Sequence, residues 1–334
     1  MSTPDDTILP FSLARSNMRG RMVRLDKTLQ TILDQHRYPD PVAALIAEAA
    51  LLTALIGQTM KLRWRFSIQV RGEGLVRLIA TDYYAPQKAG DPAQIRAYAS
   101  FDRGDVASSR LTPFQMIGQG VMGITIDQGA GMQPYQGITP LSGNTLSEGA
   151  ETYFAQSEQL ATKFKMISAE AQEPGGDAQW RAGGIMVQQM PESGGVMPDA
   201  PSGEDGLMSA DDVAGMGSRA EDWNRVTMLL DTADAHEMIG PHVSPEGLLY
   251  RLFHEEVPSV YAAQPVEFGC TCSAEKVERA MFQYSAKDLG HMTNEDGKLT
   301  ADCQFCSAHY EFDPATLGFE AERDAEDDLT SKPE

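Results

Sequence analysis

All four cysteines of this chain fall in its last fifth, as two close pairs. They are Cys270-Thr271-Cys272 and, after thirty intervening residues, Cys303-Gln304-Phe305-Cys306. A chain that used cysteine as core filler would scatter it. Two such pairs are how a tetrahedral thiolate metal site looks in sequence. The first pair is Cys-x-Cys, not the Cys-x-x-Cys of an ordinary zinc ribbon, and thiols so close can also couple to each other when oxidised. The surrounding module, about 266–315, holds few large apolar residues. That is too little to fold firmly without a staple. Four thiolates around one zinc ion supply roughly 10–16 kcal/mol at neutral pH, so metal decides whether such a module is folded at all.

Within the module, Ser273 is placed to cap a helix from Ala274 to about Met281. Gly297-Lys298 suggests a turn, and Cys303–Cys306 a knuckle between strands ending at Tyr310-Glu311-Phe312. His291 and His309 are possible substitute ligands, although four sulfurs already fill a tetrahedron. A catalytic zinc needs an open position and a general base, and no His-Glu-x-x-His occurs. His254-Glu255-Glu256 has the His-x-Glu spacing of a zinc deaminase but no Pro-Cys-x-x-Cys after it. Two readings stay open. One is a structural zinc knob. The other is a thiol switch, because oxidation begins at the thiolate and removes a metal ligand. The neighbouring pairs can then close as Cys270–Cys272 and Cys303–Cys306, whose short loops constrain the unfolded chain little. Oxidation would exchange a strong staple for two weak ones, and the module should melt.

The 334 residues allow two or three domains. A net charge of −21 and a pI near 4.6 argue against nucleic acid and against an anionic membrane surface as partners. The acidic N-terminus lacks the pattern of a signal peptide. The longest apolar run, Val42 to Ile56, is short for a membrane span and carries Glu48. The expectation is a soluble cytoplasmic protein, where paired cysteines serve as ligands or sensors more often than as permanent bridges.

Along the chain, residues 1–17 read as a disordered N-terminus. Leu25, Leu29, Ile32 and Leu33 recur at helical spacing with Asp26 as a cap. Val42–Met60 reads as a buried helix. Trp64–Val70 alternates at period two, Gly72-Glu73-Gly74 is a hairpin turn, and Leu75–Thr81 the returning strand. Ile95–Phe101, Gly123–Asp127, Phe164–Ser168 and Gly184–Met190 read as further strands, and Ser147–Thr162 as a helix. The fold class is α+β: a mixed-sheet domain over 18–190, an acidic flexible insertion at 191–222, a helical linker at 223–265, the small zinc-binding module at 266–315 and an acidic disordered tail at 316–334. In the linker, Ser244 and Pro245 start a helix that runs to about Phe253.

Gly118-Gln119-Gly120-Val121-Met122-Gly123 has dinucleotide-loop spacing, but the strand-like Ile124–Asp127 after it favours hairpin glycines. No Gly-Lys-Ser/Thr loop is present, which speaks against ATP use. Ser157 and Glu158 in the Gln-Ser-Glu-Gln stretch have no histidine beside them, so hydrolase chemistry is not expected there.

Phe268-Gly269-Cys270-Thr271-Cys272-Ser273, then Glu278-Arg279-Ala280, then Cys303-Gln304-Phe305-Cys306 with Tyr310-Glu311-Phe312, resembles the heat shock protein 33 family of redox-regulated holdase chaperones. The likeness continues in Tyr135-Gln136-Gly137-Ile138-Thr139-Pro140-Leu141, in Tyr153–Leu160 closed by Thr162, in Arg19-Gly20-Arg21 and in Gln69–Gly74. It covers about residues 18–315. The acidic insertion and the long tail depart from the compact family pattern. The resemblance implies a reduced form holding one Zn2+ through Cys270, Cys272, Cys303 and Cys306 and inactive as a chaperone. Oxidation then expels zinc and unfolds the module and the linker. The active form binds unfolded client proteins without ATP and forms a homodimer, with no catalytic residues. Two alternatives from other classes are a thiol-disulfide oxidoreductase and a constitutive structural zinc module that mediates protein contacts.

Overall fold

Leu9, Phe11 and Leu13 point to one side of the first strand and Ile8 to the other, and all four are buried. This alternation gives β1 (Thr7–Leu13), paired antiparallel to β2 (Met18–Leu25). The expected disorder over residues 1–17 is therefore corrected for 7–13. Pro10 hides the strand in the sequence because proline removes a ladder donor. A strand residue's N–H and C=O leave on the same side. The Pro10 carbonyl accepts from Tyr261 N, at the gap between two short strands that flank β1, where no proline N–H is needed.

The computed structural model describes residues 5–172, 175–190 and 210–318. The chain forms two compact units, Met1–Phe268 and Gly269–Glu334. In the first, β2 is followed by α1 (Lys27–Asp34), α2 (Asp40–Gly57), β3 (Arg65–Gly72), β4 (Val76–Tyr84), β5 (Ala93–Phe101) and α3 (Arg103–Ser108). Next come β6 (Gly120–Asp127), β7 (Tyr135–Pro140), α4 (Leu146–Tyr153), β8 (Thr162–Gln172) and β9 (Ala178–Gln189). The unit ends with α5 (Ala210–Asp231), α6 (Ala235–Ile239), α7 (Pro245–Phe253), β10 (Pro258–Val260) and β11 (Gln264–Phe268). Eleven strands make one mixed sheet in the order β7-β6-β3-β4-β5-β11-β1-β2-β9-β8, with β10 beside β1. Among the described residues β11–β5 is the parallel pair, and the remaining pairings in the sheet are antiparallel.

One face of the sheet packs on α2, which is long and apolar enough to cross a membrane but is buried in the core. The opposite face of β1, β2 and β9 presents Leu9, Phe11, Leu13, Met18, Met22, Ile185 and Val187. Val226, Leu230, Met238, Leu248, Leu249, Leu252 and Phe253 from α5, α6 and α7 cover it, with Phe11 and Phe253 stacked at 5.9 Å. Arg24 of β2, only 3% exposed, donates to the carbonyls of Met238 (2.9 Å), Glu237 (2.6 Å) and Val243 (2.5 Å), and lies 3.6 Å from Asp5. Gly240 has φ +70°, and a Cβ there would meet Arg24 NH1 at 2.9 Å, so only glycine lets the loop close round the guanidinium.

The segment 223–265 is thus not purely helical: β10 and β11 belong to the main sheet. Three- and five-residue strands are too short to show a period of two. The expected insertion at 191–222 divides. Residues 191–209 lie outside the described residues, whereas 210–222 belong to α5. Of the expected tail, 319–334 lie outside them too. The expected helix 147–162 ends early. After α4 a π-helical turn spans Phe154–Glu158 and stops at Gln159, φ +54°. Asp26 precedes α1 but makes no side-chain cap. The Asp6 carboxylate accepts from the N–H groups of Asp26 (2.9 Å), Lys27 (3.1 Å) and Thr28 (3.0 Å) instead. That arrangement is invisible locally, because the acceptor comes from twenty residues upstream.

Candidate metal centre

In the second unit α8 (Ala274–Met281) and α9 (Ala286–His291) precede a hairpin of β12 (Leu299–Asp302) and β13 (His309–Phe312). Its buried core is Leu289, Leu299, Phe312 and Leu317, with Val277, Met281, Tyr284 and Tyr310 packed alongside. The first cysteine pair lies immediately before α8. Ser273 caps that helix, its Oγ accepting from Lys276 N at 3.4 Å. The helix therefore begins next to Cys272 and presents its positive end there. The Lys276 ammonium donates to the Thr271 carbonyl, between the two sulfurs in sequence, and adds positive charge.

The second pair occupies the loop of the hairpin. Ala301 faces Tyr310 and Asp302 faces His309 across the ladder. Cys303 N donates to Ala308 O (2.9 Å) and Ser307 N to Cys303 O (2.8 Å), with Ser307 left-handed at φ +54°. This tight closure turns backbone N–H groups inward. Those of Phe305 and Cys306 donate to Cys303 Sγ, and that of Ala308 to Cys306 Sγ. Such donors favour thiolate over thiol.

All four sulfurs lie within 4.8 Å of one another. Cys270 and Cys303 are 3.7 Å apart, Cys272 and Cys306 3.3 Å. Bonds of about 2.3 Å to a tetrahedral ion imply sulfur–sulfur edges of about 3.8 Å, so the arrangement fits one ion. These separations are far beyond a disulfide bond, and all four cysteines are unbridged. Burial pushes the Cys303 and Cys306 thiols above their ordinary range, and the neighbouring sulfurs push Cys306 further. A divalent cation reverses that logic, since a coordinating thiol is deprotonated outright. Four sulfurs so placed could hold one metal ion.

The histidines stay outside. His309 Nδ1 pairs with Asp302 at 2.7 Å, and His291 is exposed at the end of α9. The deaminase-like triplet is structural. Glu256 is fully buried and receives Arg225 Nε at 2.6 Å. Glu158 accepts from the Tyr153 hydroxyl at 3.1 Å, which ties the π-helical turn to α4. The glycine-rich segment is followed by β6 and not by a helix. Gly118 has φ +70°, and a Cβ on Gly120 would meet the Arg71 carbonyl at 2.2 Å, so these glycines serve close packing of two turns. Two contributors were not legible in the sequence. One is Lys276. The other is Tyr310, whose hydroxyl donates to Cys272 Sγ at 3.1 Å. That bond holds the phenol pKa up at about 12, so the hydroxyl stays a donor.

An α+β protein with a small terminal unit organised around four cysteine sulfurs is a narrow class. The family model described as Hsp33 protein matches residues 6–313. The chain belongs to the Hsp33 family. It is 35% identical over 315 residues to the 33 kDa chaperonin of Caulobacter vibrioides, covering 93% of this chain and 95% of that one. It is 33% identical over 307 residues to the 33 kDa chaperonin of Proteus mirabilis, with 92% and 93% covered. The crystal structure of the 33 kDa chaperonin (heat shock protein 33 homolog) of Thermotoga maritima superposes with a TM-score of 0.69 at 19% identity. It covers 96% of this chain and 99% of that one, a likeness of fold.

Proposed function

We propose that this chain is a redox-regulated, ATP-independent holdase of the cytoplasm, and not an enzyme. Its reduced form holds one zinc ion through Cys270, Cys272, Cys303 and Cys306. The observation that carries the reading is the convergence of four sulfurs in a unit whose own core is four apolar side chains. Family membership and the printed name of the relatives support the chaperone part.

The chain's residues give the reading a mechanism. Zinc would supply the counter-charge that lets four half-buried thiolates coexist. Peroxide oxidises Cys270 with Cys272 and Cys303 with Cys306. Each pair of thiolates gives up two electrons as one S–S bond forms, and one peroxide takes those electrons with two protons from solvent and becomes two waters. The ligand set is then gone, and four buried apolar residues cannot hold the unit. Phe268, the last residue of β11, is separated from Cys270 by Gly269 alone. Disorder in the second unit is relayed along the chain into β11, β10 and the helices α5 to α7. Their release bares Leu9, Phe11, Leu13, Met18, Met22, Ile185 and Val187, each worth roughly 1.5–3 kcal/mol when covered again. Unfolding client proteins cover them, and the oxidised form pairs as a homodimer.

The test treats purified protein with peroxide at about 43 °C, near where mesophile domains begin to melt. Light scattering of an aggregating client, zinc release to a metallochromic dye and free thiols are followed together. Suppression of aggregation should rise as zinc and thiols fall. Equal suppression by reduced and oxidised protein overturns the switch, and no suppression by either overturns the chaperone reading.

A further inference from the structure

The four sulfurs are not solvated alike. Cys303 and Cys306 are served by backbone N–H groups of their own loop. Cys272 belongs to the other pair and takes its donor from a side chain thirty-eight residues away, the Tyr310 hydroxyl at 3.1 Å. Tyr310 stands on β13 opposite Ala301, and its ring is stacked on Phe312 at 6.4 Å and packed on the small core. The phenol is therefore held by the hairpin that carries the second pair while its proton is spent on the first.

We infer that Tyr310 is a positioning residue that damps the reactivity of Cys272 and so biases where oxidant enters the cluster. This rests on the metal-thiolate reading of the cysteines. A hydrogen bond to a charged sulfur withdraws electron density from the lone pair that attacks. When peroxide reacts, an S–O bond forms as the O–O bond breaks. The sulfur loses two electrons, and the distal oxygen leaves as hydroxide. The sulfenic acid then condenses with a neighbouring thiol, forming the S–S bond and releasing water. The phenol takes one of the free lone pairs of Cys272 Sγ and draws electron density from the sulfur that must form the S–O bond. Tyr310→Phe keeps the ring and its packing and removes only that donor.

The experiment reads each cysteine separately in the zinc-loaded full chain. Iodoacetamide is the probe: the sulfur attacks its methylene carbon, the S–C bond forms and iodide leaves with the bonding pair. Modification is followed by peptide mass spectrometry, and a parallel series uses peroxide. In Tyr310→Phe the rate at Cys272 should rise on the order of tenfold relative to Cys303, the expected size for one hydrogen bond to a charged group. A loosened module would raise all four sulfurs together, and that result overturns the inference, as does an unchanged Cys272. Site-specific 3-fluorotyrosine at position 310 is a second probe that keeps the fold and strengthens the donor. It should slow Cys272 relative to Cys303. If Tyr310→Phe does not hold zinc, an unchanged Cys272 rate with fluorotyrosine overturns the inference by itself. No aggregation assay enters, so failure here and failure of the chaperone reading are separate results.

Discussion

The two units of this chain are stabilised by different physics. The first buries aromatic and aliphatic side chains on both faces of an eleven-stranded sheet, and its α2 is apolar nearly all round. Among its described residues the second buries four such side chains and gathers four sulfurs. A chelator or a thiol oxidant acts directly on metal–thiolate bonding and far less on hydrophobic burial. The contrast places the thiol chemistry of the chain in its last fifth, and in the proposed mechanism the sheet is the surface that is covered or bare.

Removal of the metal is the most severe test of that contrast. On the proposed zinc reading, a chelator strong enough to strip the ion takes away roughly 10–16 kcal/mol from the second unit, more than a core of four residues supplies. Hydrogen exchange at the amides of Cys303 and Ser307, which close the knuckle, should then approach unfolded rates. The amides paired between β3 and β4 should exchange as before. Retained protection at Cys303 and Ser307 would break the comparison, because the second unit would then be a self-sufficient fold.

The next effect lies inside the first unit and divides it. Arg24 is the polar anchor of the helical layer, since its guanidinium serves three carbonyls of residues 237–243 and pairs with Asp5. Replacing it with Met leaves those acceptors and a carboxylate without their buried cation, at a cost of about 3–5 kcal/mol. The loss should be local. Protection should fall in α6 and α7, while β3, β4 and β5 keep theirs, and Lys at position 24 should recover only part of it because it lacks the planar fork. A uniform loss across the sheet would show that the layer and the sheet unfold as one body.

Legibility followed the range of the interactions. The cysteine cluster, α2, the β3–β4 hairpin and the Ser273 and Ser244 caps rest on residues close in sequence, and each could be read there. β1 could not, because Pro10 argues against a strand until the gap between β10 and β11 is known. β10 and the start of β11 fell in the expected helical linker, and residues 266–268 of β11 in the expected zinc module, because runs of three and five residues carry no period. The Asp6 cap of α1, the Arg24 anchor, the Arg225–Glu256 pair and the Tyr310 bond to Cys272 all join distant segments, and no local pattern announces them.

The smallest effect compares like with like. Ser244 caps α7 in the first unit, its Oγ accepting from Gly247 N at 3.1 Å, and Ser273 caps α8 in the second, accepting from Lys276 N at 3.4 Å. Each change to Ala removes about 1 kcal/mol of helix stability. In Ser244→Ala that loss should lower the denaturant midpoint of the first unit slightly and leave zinc affinity alone. In Ser273→Ala the same loss falls on a unit whose described apolar core is four residues. On the proposed zinc-dependent folding of this unit, the cost appears in the binding constant, at about tenfold per 1.4 kcal/mol. Competition against a chelator of known affinity should therefore show zinc bound several-fold more weakly in Ser273→Ala than in the parent chain. Equal zinc affinity, with helix α8 demonstrably frayed by hydrogen exchange, would mean that the sulfurs are positioned without the fold around them. The second unit would then no longer owe its order to the metal.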